Sequence, residues 1–341
     1  MPSFCRHNRL LQNCPICTKE QNISMRPAIS RFGETEQRSA GSRPQRGSQP
    51  ARGARTGASG GRGRSGTAGG MTVRRVARDQ DDGFQSSLVP GLRSSAQARR
   101  LADEVAFASA RCDLLTTDPP GLYAELADAG GDVEQRSWLA FQIAWLSPLA
   151  SDDPFAAIVA SRTRWDPDDA VAPDPTHART GPRGTYDPAA RARTADAYRA
   201  WAARAGSQAS AFGGESSWSA ERRFDRVYER LALPGIDRAV RFDLLVTLGC
   251  TGVYELNANS LHLGGADVVT LAAKRILGIG DPLLLERRAG ELAAALGAPL
   301  QALDLGFFNW ERRERWTAGA PAATELDESV HDSAYVALGL Q

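Results

Sequence analysis

No run of apolar residues in this 341-residue chain approaches the ~18 needed to span a bilayer as a helix. The basic residues near the start are not followed by an apolar stretch either, so no secretory signal is expected and a cytoplasmic location is the default. Cysteine is scarce: five residues, unevenly spread, are too few for a disulfide framework. Two of them, Cys112 and Cys250, sit among apolar neighbours as buried thiols do. Strand-like alternation is also scarce, with residues 252–256 the best and shortest instance.

The charge present is unevenly placed. The formal net charge is only +1, yet residues 1–70 carry 12 basic and 3 acidic side chains, and the remainder carries 29 and 37. A strongly basic leader therefore precedes an acidic body. Residues 21–89, rich in Arg, Gly and Ser, cannot bury enough apolar surface to offset their ordering entropy, and a disordered linker is expected there. The arginines suit phosphate binding by counterion release, but the stretch lacks the aromatic interleaving that favours base stacking. A solvated spacer is equally compatible with it.

From 90 to 315 the pattern is helical. Ala98, Leu101, Val105, Ala108 and Cys112 recur at spacings of three and four. Pro119-Pro120 opens a short helix through Leu126. Residues 133–146 are apolar nearly all round, the mark of a central buried helix. Another helix starts at Asp153-Pro154, and residues 165–186 read as a long loop. Further helices are expected near 188–205, 217–231, 237–249, 266–277, 282–297 and 299–309. The fold class is all-α, with 316–341 as a C-terminal tail.

Three motifs carry chemistry. Cys5, His7, Cys14 and Cys17 form a Cys₃His set within residues 1–20, spaced for one structural Zn²⁺ in a knuckle-like turn. The alternatives are unrelated thiols in a terminal segment or a redox Cys-x-x-Cys, which normally opens a helix in an α/β context. Leu233-Pro234-Gly235-Ile236 reads as a hairpin between two helices, able to turn backbone amides toward a phosphate. Arg238 and Arg241 follow it, and Arg222, Arg223, Arg226 and Arg230 precede it. Downstream, Asn257, Asn259, Ser260 and His262 make a polar cluster suited to a catalytic group. Gly278-Ile-Gly-Asp-Pro282 is a second tight turn, read as a helix stop and restart.

The order and spacing of Leu233-Pro-Gly-Ile, Phe242-Asp-Leu-Leu-Val-Thr-Leu-Gly249 and Asn257 to His262 is similar to the helix-hairpin-helix DNA glycosylases. Trp138 to Asp152 resembles the buried helix and Leu-Ser turn that open that fold. Arg241-Phe-Asp-Leu-Leu, Ser260-Leu-His-Leu-Gly264, Ala273-Lys274-Arg275 and Asn309-Trp310 resemble, more narrowly, clade 3 of the alpha-glutamyl/putrescinyl thymine pyrophosphorylases. The resemblance implies a glycosylase-like helical domain that flips a base out of DNA. It would then displace pyrophosphate from 5-(pyrophosphoryloxymethyl)uracil with a small amine. His262 would act as acid or base, with Asn257, Asn259 and Ser260 around the base; a hydrogen-bonded core imidazole is the alternative. Gly235, Arg238 and Arg241 would hold the backbone, and Lys274 and Arg275 would receive the diphosphate or form a solvated edge. Asparagine stands where such glycosylases keep an aspartate, which disfavours base excision. The other readings are a non-catalytic DNA-binding module on the same scaffold and a protein-binding adaptor.

Overall fold

The protein is described here by a computed structural model over residues 80–169, 171–175 and 179–340. Cys5, His7, Cys14, Cys17 and the Arg/Gly-rich stretch lie outside the described residues, all of which belong to one unit, 74–341. That unit is all-α: among the described residues there are twelve helices and no strand. They are α1 (Ser95–Thr117), α2 (Leu122–Ala127), α3 (Val133–Leu146), α4 (Ala156–Ser161), α5 (Arg191–Ala205) and α6 (Gln208–Gly213). The remainder are α7 (Ala220–Arg230), α8 (Arg238–Cys250), α9 (Val268–Leu277), α10 (Pro282–Leu296), α11 (Leu300–Arg312) and α12 (Glu328–Leu338).

Short polar side chains start most of these helices. Asp132, Ser207, Ser219, Asp237, Asp267, Asp281 and Asp327 each accept a backbone N–H in the first turn that follows, a contact typically worth about 1 kcal/mol. The alternation at 252–256 does not make a strand. The amides of Val253 and Tyr254 turn back to the Leu248 carbonyl and close the end of α8 instead.

Helix α3 is the hub. Every residue from Ser137 to Leu146 is buried, and Trp138, Phe141 and Trp145 face Tyr198 and neighbouring rings. Phe141 stacks on Tyr198 of α5 with centroids 4.1 Å apart, and Trp201, Phe212 and Tyr254 continue the cluster. Truncating a buried tryptophan of this kind costs about 3–5 kcal/mol. Two glutamines of α3 use both ends of their amides to fix the following loop. Gln142 pairs with both backbone groups of Thr163, and Gln135 with both of Trp165.

Around α1 lies a second group of helices. It packs against α11, where Gly306 lies directly on Val105, and against α12. The segment set apart as a tail is thus part of the domain: Trp316 is buried with its indole N–H on the Pro148 carbonyl, and Val330, Ala334 and Leu338 face inward. A buried ionic network ties the two groups together. Arg183, from the loop before α5, donates two bonds to Asp243 of α8 at 2.8 and 2.6 Å and one to Asp304 of α11 at 2.7 Å. Arg238, at the start of α8, donates to the other oxygen of Asp304 at 2.9 Å and lies 3.6 Å from Asp267.

Candidate functional site

The hairpin forms as its residues require. Leu233 accepts from the Ile236 N–H at 3.1 Å, with Pro234 and Gly235 between them and Gly235 at φ +77°. Its surroundings limit its use as a phosphate grip. The Ile236 amide is spent in the turn, and Asp237 places its own carboxylate at the start of α8, accepting from Val240 at 3.0 Å. Arg238 does not face solvent at all. It is buried in the ionic network and also donates to the carbonyls of Leu261 and His262. Arg241 stays at the surface, bonded to the Asp237 and Tyr228 carbonyls with its guanidinium 4.3 Å from the Tyr228 ring centre.

The polar cluster after α8 meets one face of α7. Glu221, Asp225 and Tyr228 lie four and three residues apart and so share that face. The Asn257 amide donates to Glu221 at 3.3 Å, and its backbone N–H reaches the Ala220 carbonyl. His262 stacks flat on Tyr228, with centroids 3.6 Å apart and planes 5° from parallel. Its Nε2 lies 3.3 Å from Oδ1 of Asp225, and neither atom has a hydrogen-bond partner among the described residues. The two side chains stay 19% and 32% exposed. Burial, partly offset by Arg241 and Arg238, pushes the Tyr228 hydroxyl up to about 12, so the ring beneath His262 is a neutral phenol at physiological pH.

The backbone of His262 is held from both sides. Its φ is +56°, a left-handed conformation that is uncommon for a non-glycine residue and costs about 1–3 kcal/mol. On one side, Glu286 of α10 accepts the amides of Leu261 and Leu263, the two residues flanking it. On the other, Arg238 grips the carbonyls of Leu261 and His262. Ser260 turns its hydroxyl back to accept the His262 N–H at 3.1 Å. Leu261 and Leu263 are buried and anchor the loop. Strain maintained by this many contacts is a feature of sites where a side chain must point one way.

Of the residues singled out by sequence, the structure sets His262 and Asn257 against α7, with Ser260 bonded to the His262 amide and Arg241 on the far side of Tyr228. Asn259 is exposed on the same loop. Lys274 and Arg275 are elsewhere. They end α9, whose ten residues span about 15 Å from the Asp267 cap that meets Arg238. Arg275 is committed to Glu311 at 2.5 and 2.7 Å and lies over Trp310. Asp225 and Glu286 are the functional candidates that sequence reasoning missed. Both are acidic residues on amphipathic helices, joined to His262 across 37 and 24 positions with nothing local to mark them.

This arrangement can transfer a proton. A carboxylate 3.3 Å from Nε2 can stabilise an imidazolium formed when Nδ1 takes a proton from a bound group. No cluster of metal-ligating side chains occurs among the described residues, and no described helix is long and apolar enough to cross a membrane. Comparison with protein-family models, curated proteins and solved structures finds no match to this chain.

Proposed function

We propose that this chain is an acid–base enzyme acting on a pyrimidine of DNA, replacing the pyrophosphate of 5-(pyrophosphoryloxymethyl)uracil with an amine. The observation that carries the acid–base part is the strained His262 set against Asp225 and the Tyr228 ring. The substrate class rests on the resemblance of roughly residues 90–315 to glycosylase-like thymine pyrophosphorylases. In this reaction a C–N bond forms at the exocyclic methylene as its C–O bond breaks, and the bonding pair leaves with pyrophosphate. Nδ1 of His262 takes the proton that the attacking amine releases, while Asp225 on Nε2 stabilises the imidazolium. The diphosphate-binding role expected of Arg275 is not carried over, because Glu311 already occupies that guanidinium.

Asp225 answers the missing aspartate of the downstream cluster. A carboxylate is present at the site, but it faces Nε2 of His262. That fits chemistry at an exocyclic carbon better than cleavage of the glycosidic bond. The leader is read as the source of affinity for DNA, with Cys5, His7, Cys14 and Cys17 binding one structural Zn²⁺. Metal analysis of the whole protein and of Cys14→Ser tests that part, with one zinc expected in the first and none in the second.

The deciding experiment incubates DNA bearing the pyrophosphorylated base with the protein and candidate amines, then weighs the released nucleosides. An amine adduct that appears with wild type and not with His262→Ala or Asp225→Asn supports the reading. Unchanged nucleosides with every amine, from folded wild-type protein, would sink it.

A further inference from the structure

Several cations expected from the sequence to meet phosphate are committed within the fold: Arg238 to Asp304, Arg241 to two backbone carbonyls and Arg275 to Glu311. Helix α7 presents others. Arg222, Arg226 and Arg230 recur every four residues, so they share one flank of the helix, and all three are exposed. The indole of Trp218 lies against this row. The Arg222 guanidinium stands 5.9 Å from its ring centre and that of Arg230 5.2 Å, and neither has a carboxylate partner among the described residues. Trp218 is buried and closely packed, since a Cβ at Gly214 would stand 2.5 Å from its ring. The aromatic face steadies two long side chains that remain exposed, a use to which the planar, weakly hydrated guanidinium is suited. Arg226, between them, meets Glu229 at 3.1 Å in a pair whose side chains are both more than half open. Such an exposed pair is worth at most about 1 kcal/mol and gives way readily to a competing anion.

We infer that a DNA strand lies along this flank of α7, its phosphates paired with Arg222, Arg226 and Arg230. The inference rests on the DNA reading above and goes further by placing the strand. Eight residues of helix separate Arg222 from Arg230, a rise of about 12 Å, which at about 3.4 Å per nucleotide is three to four steps of one strand. Guanidiniums hold phosphates by charge and paired N–H bonds and read no base, so they fix position rather than sequence. The neighbouring flank of the same helix carries Asp225 and Tyr228, which face His262 at 3.3 Å and 3.6 Å. Successive helical residues turn by about 100°, so Asp225 stands next to the Arg226 flank, and a base swung out of the strand has about one helix width to cross. From residue 71 onward the chain carries 29 basic and 37 acidic side chains, so a local row, not the net charge of the domain, has to orient a polyanion. The basic leader then supplies general attraction, and the α7 row sets where the strand rests.

The test measures binding of the full chain to a fluorescent duplex of about 20 base pairs by anisotropy, between about 50 and 200 mM salt. The leader is present throughout, so its contribution is common to every variant. With Arg222→Gln, Arg226→Gln and Arg230→Gln combined, the slope of log affinity against log salt should become shallower by about 2–3, close to 0.9 for each lost phosphate contact, and affinity at about 0.1 M salt should fall about 100-fold. Lysine at the same three positions should recover at least half of the lost slope, because it keeps the charge and can still lie on Trp218. Glu229→Gln, which releases Arg226, should tighten binding by about threefold. Thermal melts identify which variants are folded. An unchanged salt slope in the folded glutamine variant, or lysines that bind no better than glutamines, would overturn the inference. The base-modification assay separates this from the reading beneath it. An amine adduct formed equally by wild type and the glutamine variant removes the row and leaves the reading, whereas loss of DNA affinity without any adduct from wild type removes the reading and leaves the row.

Discussion

Glu286 holds His262 by its neighbours: one carboxylate oxygen accepts the amide of Leu261, the other that of Leu263, and the imidazole between them is turned onto Tyr228. No contact between Glu286 and the ring is involved, so its effect on chemistry is through the backbone. Glu286→Gln puts an NH₂ group against one of the two amides and leaves a buried donor unpaired, at a cost of about 1–3 kcal/mol. Base modification should fall by about 100-fold, the scale of a 1 Å misplacement at a reacting group. Helicity should be kept. Nucleoside mass spectrometry beside a thermal melt checks both, and full activity in a destabilised variant would show that the clamp only stabilises.

The left-handed backbone of His262 separates strain from catalysis. Alanine at this position keeps the strain and loses the ring stack. Glycine loses the stack as well but adopts φ +56° without penalty. His262→Gly should therefore be more stable than His262→Ala by about 1 kcal/mol, and both should be inactive. Urea titrations of the two variants measure the gap. If alanine is the more stable, the loop has moved to another conformation once the ring is gone.

Periodicity and caps made most of the fold legible. The central helix at 133–146 was visible because apolar residues cover it on all sides, and α10 because Pro282 follows the Asp281 cap. Two helices were not anticipated. One is the short α6; the other is α12, in a segment of mixed polarity where only Val330, Ala334 and Leu338 turn inward. At the site, the sequence pointed to the loop of His262 and Ser260, which the structure sets against α7. It misplaced Arg238, because a guanidinium one residue past an Asp cap reads the same whether it faces solvent or two buried carboxylates. Asp225 and Glu286 were invisible for a related reason. Their importance comes from pairing across the fold, and pairing leaves no local pattern.

Asp304 lies between two guanidiniums, and its ionisation should be visible in acid stability. Burial alone would push its carboxyl up; Arg183 and Arg238 together reverse this and hold it below the usual carboxylate range. A carboxyl depressed in the folded state contributes stability above its unfolded value, about pH 4, and that contribution is lost as the pH falls through the folded value. Asp243 acts in the opposite sense, because burial outweighs Arg183 and keeps it raised, so its protonation in acid relieves the fold. Comparing wild type with Asp304→Asn isolates the first effect. At neutral pH the variant should be about 3–5 kcal/mol less stable, since two buried arginines lose a shared partner. Denaturant titrations should show that gap narrowing below about pH 4. A gap independent of pH would mean that Asp304 carries no charge in the folded protein.

Gly235 tests whether the hairpin is scaffold or phosphate grip. Alanine would have to adopt φ +77°, and its Cβ would stand 2.1 Å from Oγ1 of Thr194, a buried side chain of α5. Strain and clash together should lower stability by about 2–4 kcal/mol in Gly235→Ala. Adding Thr194→Ala removes the clash and leaves the backbone strain, so the double variant should recover all but about 1–2 kcal/mol. That recovery makes DNA affinity interpretable, because the double variant is folded with an altered hairpin surface. The Ile236 amide is already bonded within the turn and Asp237 already caps α8, so affinity for a DNA duplex should stay within about twofold of wild type, a difference of less than 0.5 kcal/mol. A tenfold loss in the folded double variant would return the hairpin to the role its sequence suggested, as the element that grips the backbone.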